Sequence, residues 1–121
     1  MARYSVSGVG AGTISEASGT TRPLLGSEIT SGRVLWLRNF WIYNDASELP
    51  VNLQDATAGD TMAVADSRFV LMAASGRNTM VEFPAPGLKF TTGCAIIGDG
   101  TGAAAAAFTQ GEYGGSGYEE G

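Results

Sequence analysis

Glycine recurs along almost the whole chain, and this limits the folds open to it. Eighteen of the 121 residues are glycine, about twice the average usage of ~7 %. The apolar runs between the glycines are short, and serine and threonine are common in the connections. The pattern favours many short strands over a few helices, and a chain of this length can bury roughly two thirds of its surface in a single domain.

The most hydrophobic stretch is RVLWLRNFWIYN, residues 33–44. Its aromatic and β-branched residues favour a strand with apolar side chains on both faces. Strict alternation places Trp36, Phe40 and Ile42 on one face. The opposite face then carries Leu35, Leu37, Trp41 and Tyr43. We expect one set to fill the core and the other to be available for an interface.

Shorter patterns indicate the remaining strands. Val51 and Leu53 alternate with polar residues, as in a half-buried antiparallel strand. Further apolar runs are strand candidates: residues 69–72, 79–83, 94–97 and 103–108. Asp99-Gly100 is a hairpin turn before the last of these. We predict an all-β fold, an antiparallel β-sandwich or jelly roll of about eight strands. A helix in part of residues 61–74 is the main local alternative.

The two ends of the chain carry little core pattern. Residues 1–20 fit either a short strand, a bend at Gly8 to Gly12 and a second weak strand, or an extended arm. Residues 111–121 contain five glycines and two tyrosines, and we expect a glycine-rich C-terminal arm that orders only on neighbouring chains. The predicted organisation is one β-sandwich domain over residues 1–110 followed by that arm. Deletion of the arm would then leave the melting temperature of the domain nearly unchanged.

Charge and composition exclude several classes of function. Twelve acidic residues against seven basic ones give a net charge of −5, which repels a phosphate backbone, so we expect no nucleic-acid partner. The chain has no histidine, which removes histidine-based triads and histidine-ligated metals. No stretch resembles a signal peptide or approaches the ~18 apolar residues of a membrane span. We expect a soluble, non-catalytic protein made in the cytoplasm, with no cofactor and no membrane partner.

Three motifs contain residue types that are found in phosphate-binding, nucleophilic or metal sites. GDGTG, residues 98–102, lacks the rest of a P-loop or dinucleotide fingerprint and is interpreted as a hairpin turn. Cys94 has no histidine to activate it, and we expect a buried small residue within a strand. Asp55, Asp60 and Asp66 could be combined into a calcium site, but without an EF-hand pattern they fit solvated turns better. We predict neither a catalytic residue nor a metal site.

The aromatic residues provide the interface candidates. Trp36 and Trp41 lie within an apolar strand pattern, so core packing is favoured over a sugar-stacking role. Tyr113 and Tyr118 lie in the predicted arm, which has no core in which to bury them. We therefore expect these two tyrosines to anchor the arm on a neighbouring chain. The candidate interface residues are Trp41, Tyr43, Tyr113 and Tyr118.

Several segments together resemble small structural proteins of tailed bacteriophages. The resemblance spans roughly residues 33–121 and rests on LWLRNFWIYN, VNLQDATAG, VEFPAPGLKFTTGCAII and the terminal glycine-rich hairpin. The alanine run at residues 103–107 departs from the β-branched last strand of that pattern. The resemblance implies a capsid decoration, or cement, protein on the capsid surface of the virion. Such a protein binds the major capsid protein, bridges neighbouring subunits and self-associates, with a trimer favoured.

Two other functions are compatible with the same residues. The first is another virion component, associated with the tail, neck or fibre, and its position on the particle would distinguish it. The second is a carbohydrate-binding β-sandwich module that uses exposed aromatic side chains. Loss of glycan binding in a folded Trp41→Ala variant would support that module.

Overall fold

The computed structural model describes residues 2–11, 22–25, 28–45, 48–57, 64–98 and 111–121. Nine β-strands occur in these residues: β1 (Arg3–Ala11), β2 (Arg22–Pro23), β3 (Val34–Asn44), β4 (Leu49–Gln54), β5 (Ser67–Ala73), β6 (Arg77–Glu82), β7 (Leu88–Phe90), β8 (Ala95–Gly98) and β9 (Gly111–Glu120). A short 3-10 helix covers Val64–Asp66, and the described ranges contain no α-helix. Within them, no helix has the length and apolar character needed to cross a membrane.

The strands form two antiparallel sheets. The first sheet has the order β1-β9-β3-β6, and β7 pairs with the part of β3 that β6 does not reach. The second sheet has the order β2-β8-β4-β5. One cluster of buried side chains draws on both sheets, so the core lies between them. The predicted all-β sandwich is therefore confirmed, whereas jelly-roll connectivity stays a prediction.

The core consists of side chains that are almost fully withdrawn from solvent. The first sheet contributes Leu35, Leu37, Phe40, Ile42, Phe90 and Tyr113, and the second contributes Val51, Leu53, Ala73 and Ile96. Leu24, Leu25 and Ile29 add to the same cluster from the connection between β2 and β3. Burial of one large apolar side chain contributes about 1.5–3 kcal/mol, so this cluster is the main stabilising element of the described fold.

The helix considered for part of residues 61–74 is wrong for Ser67–Ala73, which form strand β5. β5 alternates half-buried and exposed residues, the period of two expected of a strand with one face on the core. Phe69 and Leu71 pack against the core. Val70 and Met72 point away from it and are 51 % and 53 % exposed. Residues 61–63 lie outside the described part of the chain.

A β-bulge interrupts β3 at Arg38. Leu37 pairs with Gly117 and Asn39 pairs with Ser116, so Arg38 is an extra residue without a register partner on β9. Such a bulge places two residues of one strand opposite one residue of its neighbour. Side chains beyond the bulge therefore change faces relative to strict alternation.

Because of the bulge, the two sets of β3 residues predicted from strict alternation are wrong. Leu35 and Leu37 are buried on the same side as Phe40 and Ile42, although strict alternation separates them. The opposite side of β3 carries Trp36, Asn39, Trp41 and Tyr43. The strand does have one core face and one outward face, as predicted, but their membership is different.

The C-terminal arm predicted for residues 111–121 is also wrong. These residues form β9, which lies between β1 and β3 in the first sheet. Glycine is needed there because neighbouring atoms approach the backbone closely. A Cβ atom at Gly117 would collide with the carbonyl oxygen of Trp36, and one at Gly114 would lie 2.8 Å from Nε1 of Trp41. The stability of the first sheet therefore depends on this segment.

The N-terminal segment that the structure describes is a sheet member. β1 runs without a bend through Gly8 and Gly10 and pairs with β9 from Arg3 to Ala11. The bend predicted at Gly8 to Gly12 is therefore wrong within the described residues. Residues 12–20 lie outside them.

The connection between β6 and β7 is a loop that contains two prolines, Pro84 and Pro86. It covers residues 83–87 and contains a cis peptide bond between Ala85 and Pro86. Gly87 has a φ of 120°, which a residue with a side chain rarely adopts. The predicted turn at Asp99-Gly100 and the predicted strand at residues 103–108 lie outside the described residues.

Candidate functional site

The side of the first sheet that points away from the core is the most distinctive surface of the described structure. Strand register places alternate residues of neighbouring strands on it: Ser5, Ser7, Val9, Ser116, Tyr118, Trp36, Asn39, Trp41, Tyr43, Met80, Glu82 and Lys89. We call this surface the outer face. It spans both halves of β3, and it combines apolar and charged side chains.

An exposed apolar row crosses the outer face from β1 to β6. Register aligns Val9, Gly114, Trp41 and Met80 on four neighbouring strands. Val9 is 79 % exposed and Met80 is 73 % exposed. The indole of Trp41 lies against Gly114, so the apolar strip is continuous across β9. Single exposed apolar residues are ordinary, whereas a contiguous strip is typical of contact surfaces.

The end of the outer face near β7 is more polar. The Nζ atom of Lys89 lies 5.9 Å from the ring centroid of Trp36, and Cζ of Arg3 lies 4.8 Å from that of Tyr118. The Tyr118 hydroxyl donates to the carbonyl oxygen of Pro86 at 3.3 Å. A cation over an exposed ring contributes about 0.5–1 kcal/mol. These two rings are therefore held by neighbouring strands within the sheet.

Three of the four predicted interface residues lie on the outer face. Trp41 and Tyr43 belong to the apolar end, and Tyr118 belongs to the polar end. Tyr113 lies on the opposite side of β9, is 3 % exposed and is part of the core, so it is not available to a partner in this structure. The odd spacing between positions 113 and 118 separates the two tyrosines onto opposite faces.

Sequence reasoning missed two residues of the apolar row. Val9 lies between two glycines, and Met80 lies between Thr79 and Val81 in a short apolar run, so neither residue is distinctive within its own segment. Only the pairing of β1 with β9, and of β6 with β3, brings them into line with Trp41. The alignment of these distant strands cannot be seen in the sequence.

A surface pocket of about 440 Å³ lies beside the bulge of β3. It is lined by Arg38, Asn39, Glu82, Phe83 and Pro84. Nε of Arg38 donates to the carbonyl oxygen of Phe83 at 3.2 Å, and Nδ2 of Asn39 donates to Oγ of Ser116 at 2.5 Å. The pocket shares residues with the outer face and extends it toward the β6–β7 connection.

A second constellation of polar groups surrounds Asp55, which follows β4. Its carboxylate accepts hydrogen bonds from the backbone N–H groups of Thr91, Thr92 and Gly93 at 3.0, 2.8 and 3.3 Å. The Thr91 hydroxyl donates at 3.0 Å, and Nη2 of Arg68 donates at 3.2 Å. Burial raises the pKa of Asp55, but together these hydrogen bonds to the ionised form outweigh burial, so the pKa lies below its ordinary value.

This arrangement explains the FTTGC segment between β7 and β8. Its backbone amides at residues 91–93 form a small anion-binding concavity of the kind that successive N–H groups create. The anion is a carboxylate of the same chain, Asp55. The FTTGC segment therefore connects the end of β4 to the start of β8 through Asp55. Its amides at residues 91–93 are occupied by that carboxylate and are not available to bind a phosphate.

The calcium site considered from the sequence has no support from Asp55. Its oxygens face hydrogen-bond donors, whereas calcium requires oxygen ligands around a shared cation. Asp60 lies outside the described residues. In the described ranges, no group of three or more His, Cys, Asp or Glu side chains is arranged to hold a metal ion.

Cys94 lies directly after the Asp55 contacts and is 1 % exposed. Burial, with a smaller contribution from the Asp55 carboxylate, raises the pKa of its thiol. The thiol is therefore neutral near pH 7 and a poor nucleophile. The prediction that Cys94 is buried is confirmed, although β8 begins one residue later, at Ala95.

Comparison with known proteins does not assign a function to these features. No family model matches the chain, and neither a curated protein nor a solved structure matches it.

Proposed function

We propose that this chain is a structural protein of a tailed-phage virion, of the decoration or cement type. It binds the major capsid protein at the capsid surface and bridges neighbouring subunits. The observation that carries the proposal is the apolar row formed by the exposed Val9 and Met80 with the half-buried Trp41 between them on one face of the first sheet. A protein of this type needs a contact surface and no catalytic group. The resemblance of its segments to small phage structural proteins supplies the class of partner.

The dimensions of the outer face suit a contact of modest strength. Four strands ~4.8 Å apart, each about nine residues long at ~3.3 Å per residue, cover roughly 600 Å². A standard protein interface buries about 800 Å² per partner. One copy would therefore bind weakly through this face alone, and a repeating shell multiplies such contacts. A protein that binds only the assembled shell also stabilises it by mass action.

The charge balance supports the exterior of a DNA-filled shell. The net charge of −5 disfavours contact with packaged nucleic acid. A protein with an apolar strip and an acidic balance can bind a protein surface while it is repelled by phosphate. The acidic balance therefore favours the outer surface of the shell over the inner one.

Met80→Asp tests the contact surface. The charge lies in the middle of the apolar row, and we expect at least a tenfold loss of binding to phage heads that lack the protein, measured by co-sedimentation. Met72→Asp is the matched control, because Met72 is 53 % exposed but lies on β5 of the other sheet. Its binding should equal that of the wild type. Equal binding by both variants would refute the assignment of the outer face.

A reconstruction of the particle tests the location. Many symmetry-related copies over the shell are expected for a cement protein. A handful of copies at the tail, neck or fibre would replace the decoration role with another virion role.

A second candidate, a carbohydrate-binding module, is favoured by one observation. Trp41 and Tyr43 lie two residues apart on the outer face, and Tyr43 is 38 % exposed. Exposed aromatic faces can hold apolar sugar surfaces. A glycan array on which the wild type binds and Trp41→Ala does not would support this function. A silent array would count against it.

A further inference from the structure

Within the described residues, β1 is a long edge strand of the first sheet. Among the described strands it pairs only with β9, so the polar backbone groups on its other side point away from the sheet. Natural proteins commonly protect such edges with short strands, proline, lysine or inward-pointing charges. β1 has nine residues, no proline, no lysine, and a single charged residue, Arg3, at its start.

The other sheet edges in the described part of the chain are better protected. β2 has two residues. β6 begins with Arg77 and ends with Glu82, and Pro84 follows it. β5 has seven residues, and a bulge at Arg68 interrupts its ladder with β4. β1 is therefore the described edge best suited to pair with another strand.

We propose that β1 pairs antiparallel with β1 of a second copy, across a twofold axis at Ser7. Two first sheets then form one continuous sheet with the order β6-β3-β9-β1-β1-β9-β3-β6. The register is set by the axis: Arg3 opposite Ala11, Tyr4 opposite Gly10, Ser5 opposite Val9, Val6 opposite Gly8, and Ser7 opposite itself. The inference rests on the edge of the sheet and is independent of what the outer face binds.

Side-chain sizes in this register are complementary. Tyr4, which is 42 % exposed, lies opposite Gly10, whereas the space over Gly8, opposite Val6, is filled by the carbonyl oxygen of Leu24 of its own chain. Gly10 already contacts the ring of Tyr113 from β9, so Tyr4 of the second copy extends an existing apolar contact. On the outer face the exposed Val9 packs beside Ser5. Cross-strand pairs of a large residue with a glycine are a recognised way to fill a sheet edge.

The charges at the ends of β1 are complementary as well. Arg3 comes opposite the small Ala11, which pairs with Glu112 on the next strand. In the single chain Arg3 forms an ion pair with Glu120 at 3.2 Å, and its side chain is 67 % exposed. A guanidinium has five N–H donors, so it can also approach Glu112 across Ala11. The twofold axis repeats this contact at the other end.

Cysteine cross-linking tests the register with a matched pair of variants. In Ser7→Cys the two thiols lie opposite each other at a Cα separation of about 4.5–5.5 Å, which a disulfide can bridge. In Ser5→Cys the two thiols are offset by four residues along the strands, about 13 Å, which a disulfide cannot span. Both serines are exposed, and the native Cys94 is buried. Mild oxidation should yield covalent dimers of Ser7→Cys alone.

Charge complementation tests the same contact without a covalent bond. Ser7→Lys and Ser7→Glu each place like charges together at the axis, and we expect each dimer to be at least tenfold weaker by light scattering. An equimolar mixture should restore the wild-type dimer. A monomeric or trimeric wild-type mass, or equal cross-linking of the two cysteine variants, would overturn the proposal. Head binding by Met80→Asp is a separate readout, so failure of one proposal does not imply failure of the other.

Discussion

At the scale of single residues, Asp55 shows how one carboxylate can organise two connections. It joins the end of β4 to residues 91–93 before β8, and it also reaches Arg68 on β5. The residue is 6 % exposed and Gly93, one of its backbone donors, is also buried, so the N–H group of Gly93 has little access to water if the carboxylate is lost. Unsatisfied buried donors cost about 1–3 kcal/mol each. The sequence placed Asp55 in a solvated turn, because its donors lie 36 to 38 residues further along the chain.

We expect Asp55→Asn to lower the free energy of unfolding by about 2 kcal/mol at pH 7, because an amide nitrogen then faces backbone N–H groups. Urea unfolding measures this. Asp45→Asn is the control, since Asp45 is exposed and its change should stay within about 0.5 kcal/mol.

The direction of the pKa shift of Asp55 determines how its contribution to stability depends on pH. The pKa of Asp55 is lower in the folded than in the unfolded chain, so the carboxylate stabilises the fold fully above its unfolded-state pKa of about 3.9. That contribution is lost as the pH falls through the folded-state pKa. The stability difference between wild type and Asp55→Asn should therefore shrink between pH 5 and pH 2. A constant difference over this range would contradict the role of the ionised carboxylate.

At the scale of elements, the bulge of β3 decides which side chains reach the core. If Arg38 occupied a regular position in the ladder instead of a bulge, Leu35 and Leu37 could not share a face with Phe40 and Ile42. A sequence pattern cannot show this, because a bulge is defined by the partner strand. The same bulge sends Trp41 and Tyr43 outward and so creates the apolar end of the outer face.

Deletion of Arg38 tests this account of β3. The deletion joins Leu37 directly to Asn39, whose partners Gly117 and Ser116 are already adjacent. We expect the variant to fold with unchanged faces and to lose roughly 1–3 kcal/mol, because the backbone bond from Phe83 to Arg38 is removed. Deletion of Trp41, from the regular part of the ladder, shifts Ile42 to the outer side and should prevent folding. Far-UV circular dichroism and urea unfolding compare the two, and an unfolded chain without Arg38 would contradict the account.

At the scale of the whole molecule, the fold class could be predicted and the assembly of the sheets could not. The frequent glycines, the apolar sequence of β3 and the alternating sequence of β4 were enough to predict an all-β sandwich. β9 was missed because its strand character comes from close packing of neighbours over Gly114 and Gly117, and not from apolar side chains of its own. Two members of the apolar row were missed for a related reason, since Val9 and Trp41 meet only through β9.

Deletion of residues 111–121 tests the central position of β9. The truncated chain loses the strand that joins β1 to β3, and the core loses Tyr113. We expect its cooperative urea transition to disappear. Tyr118→Ala in the full chain keeps β9 and removes a half-buried contact, so its transition should persist. Wild-type stability of the truncated chain would show that this segment is an arm after all.

The pairing of β1 with β9 also has a consequence for biosynthesis. Arg3 and Glu120 are 117 residues apart in sequence, yet they are register partners. At translation rates of ~5–20 residues per second, β1 leaves the ribosome roughly 5–20 s before the strand that holds it. Strands β4, β5 and β8 of the second sheet are all synthesised in that interval. The first sheet is therefore completed last, and a nascent chain must keep β1 from wrong strand pairing until β9 emerges.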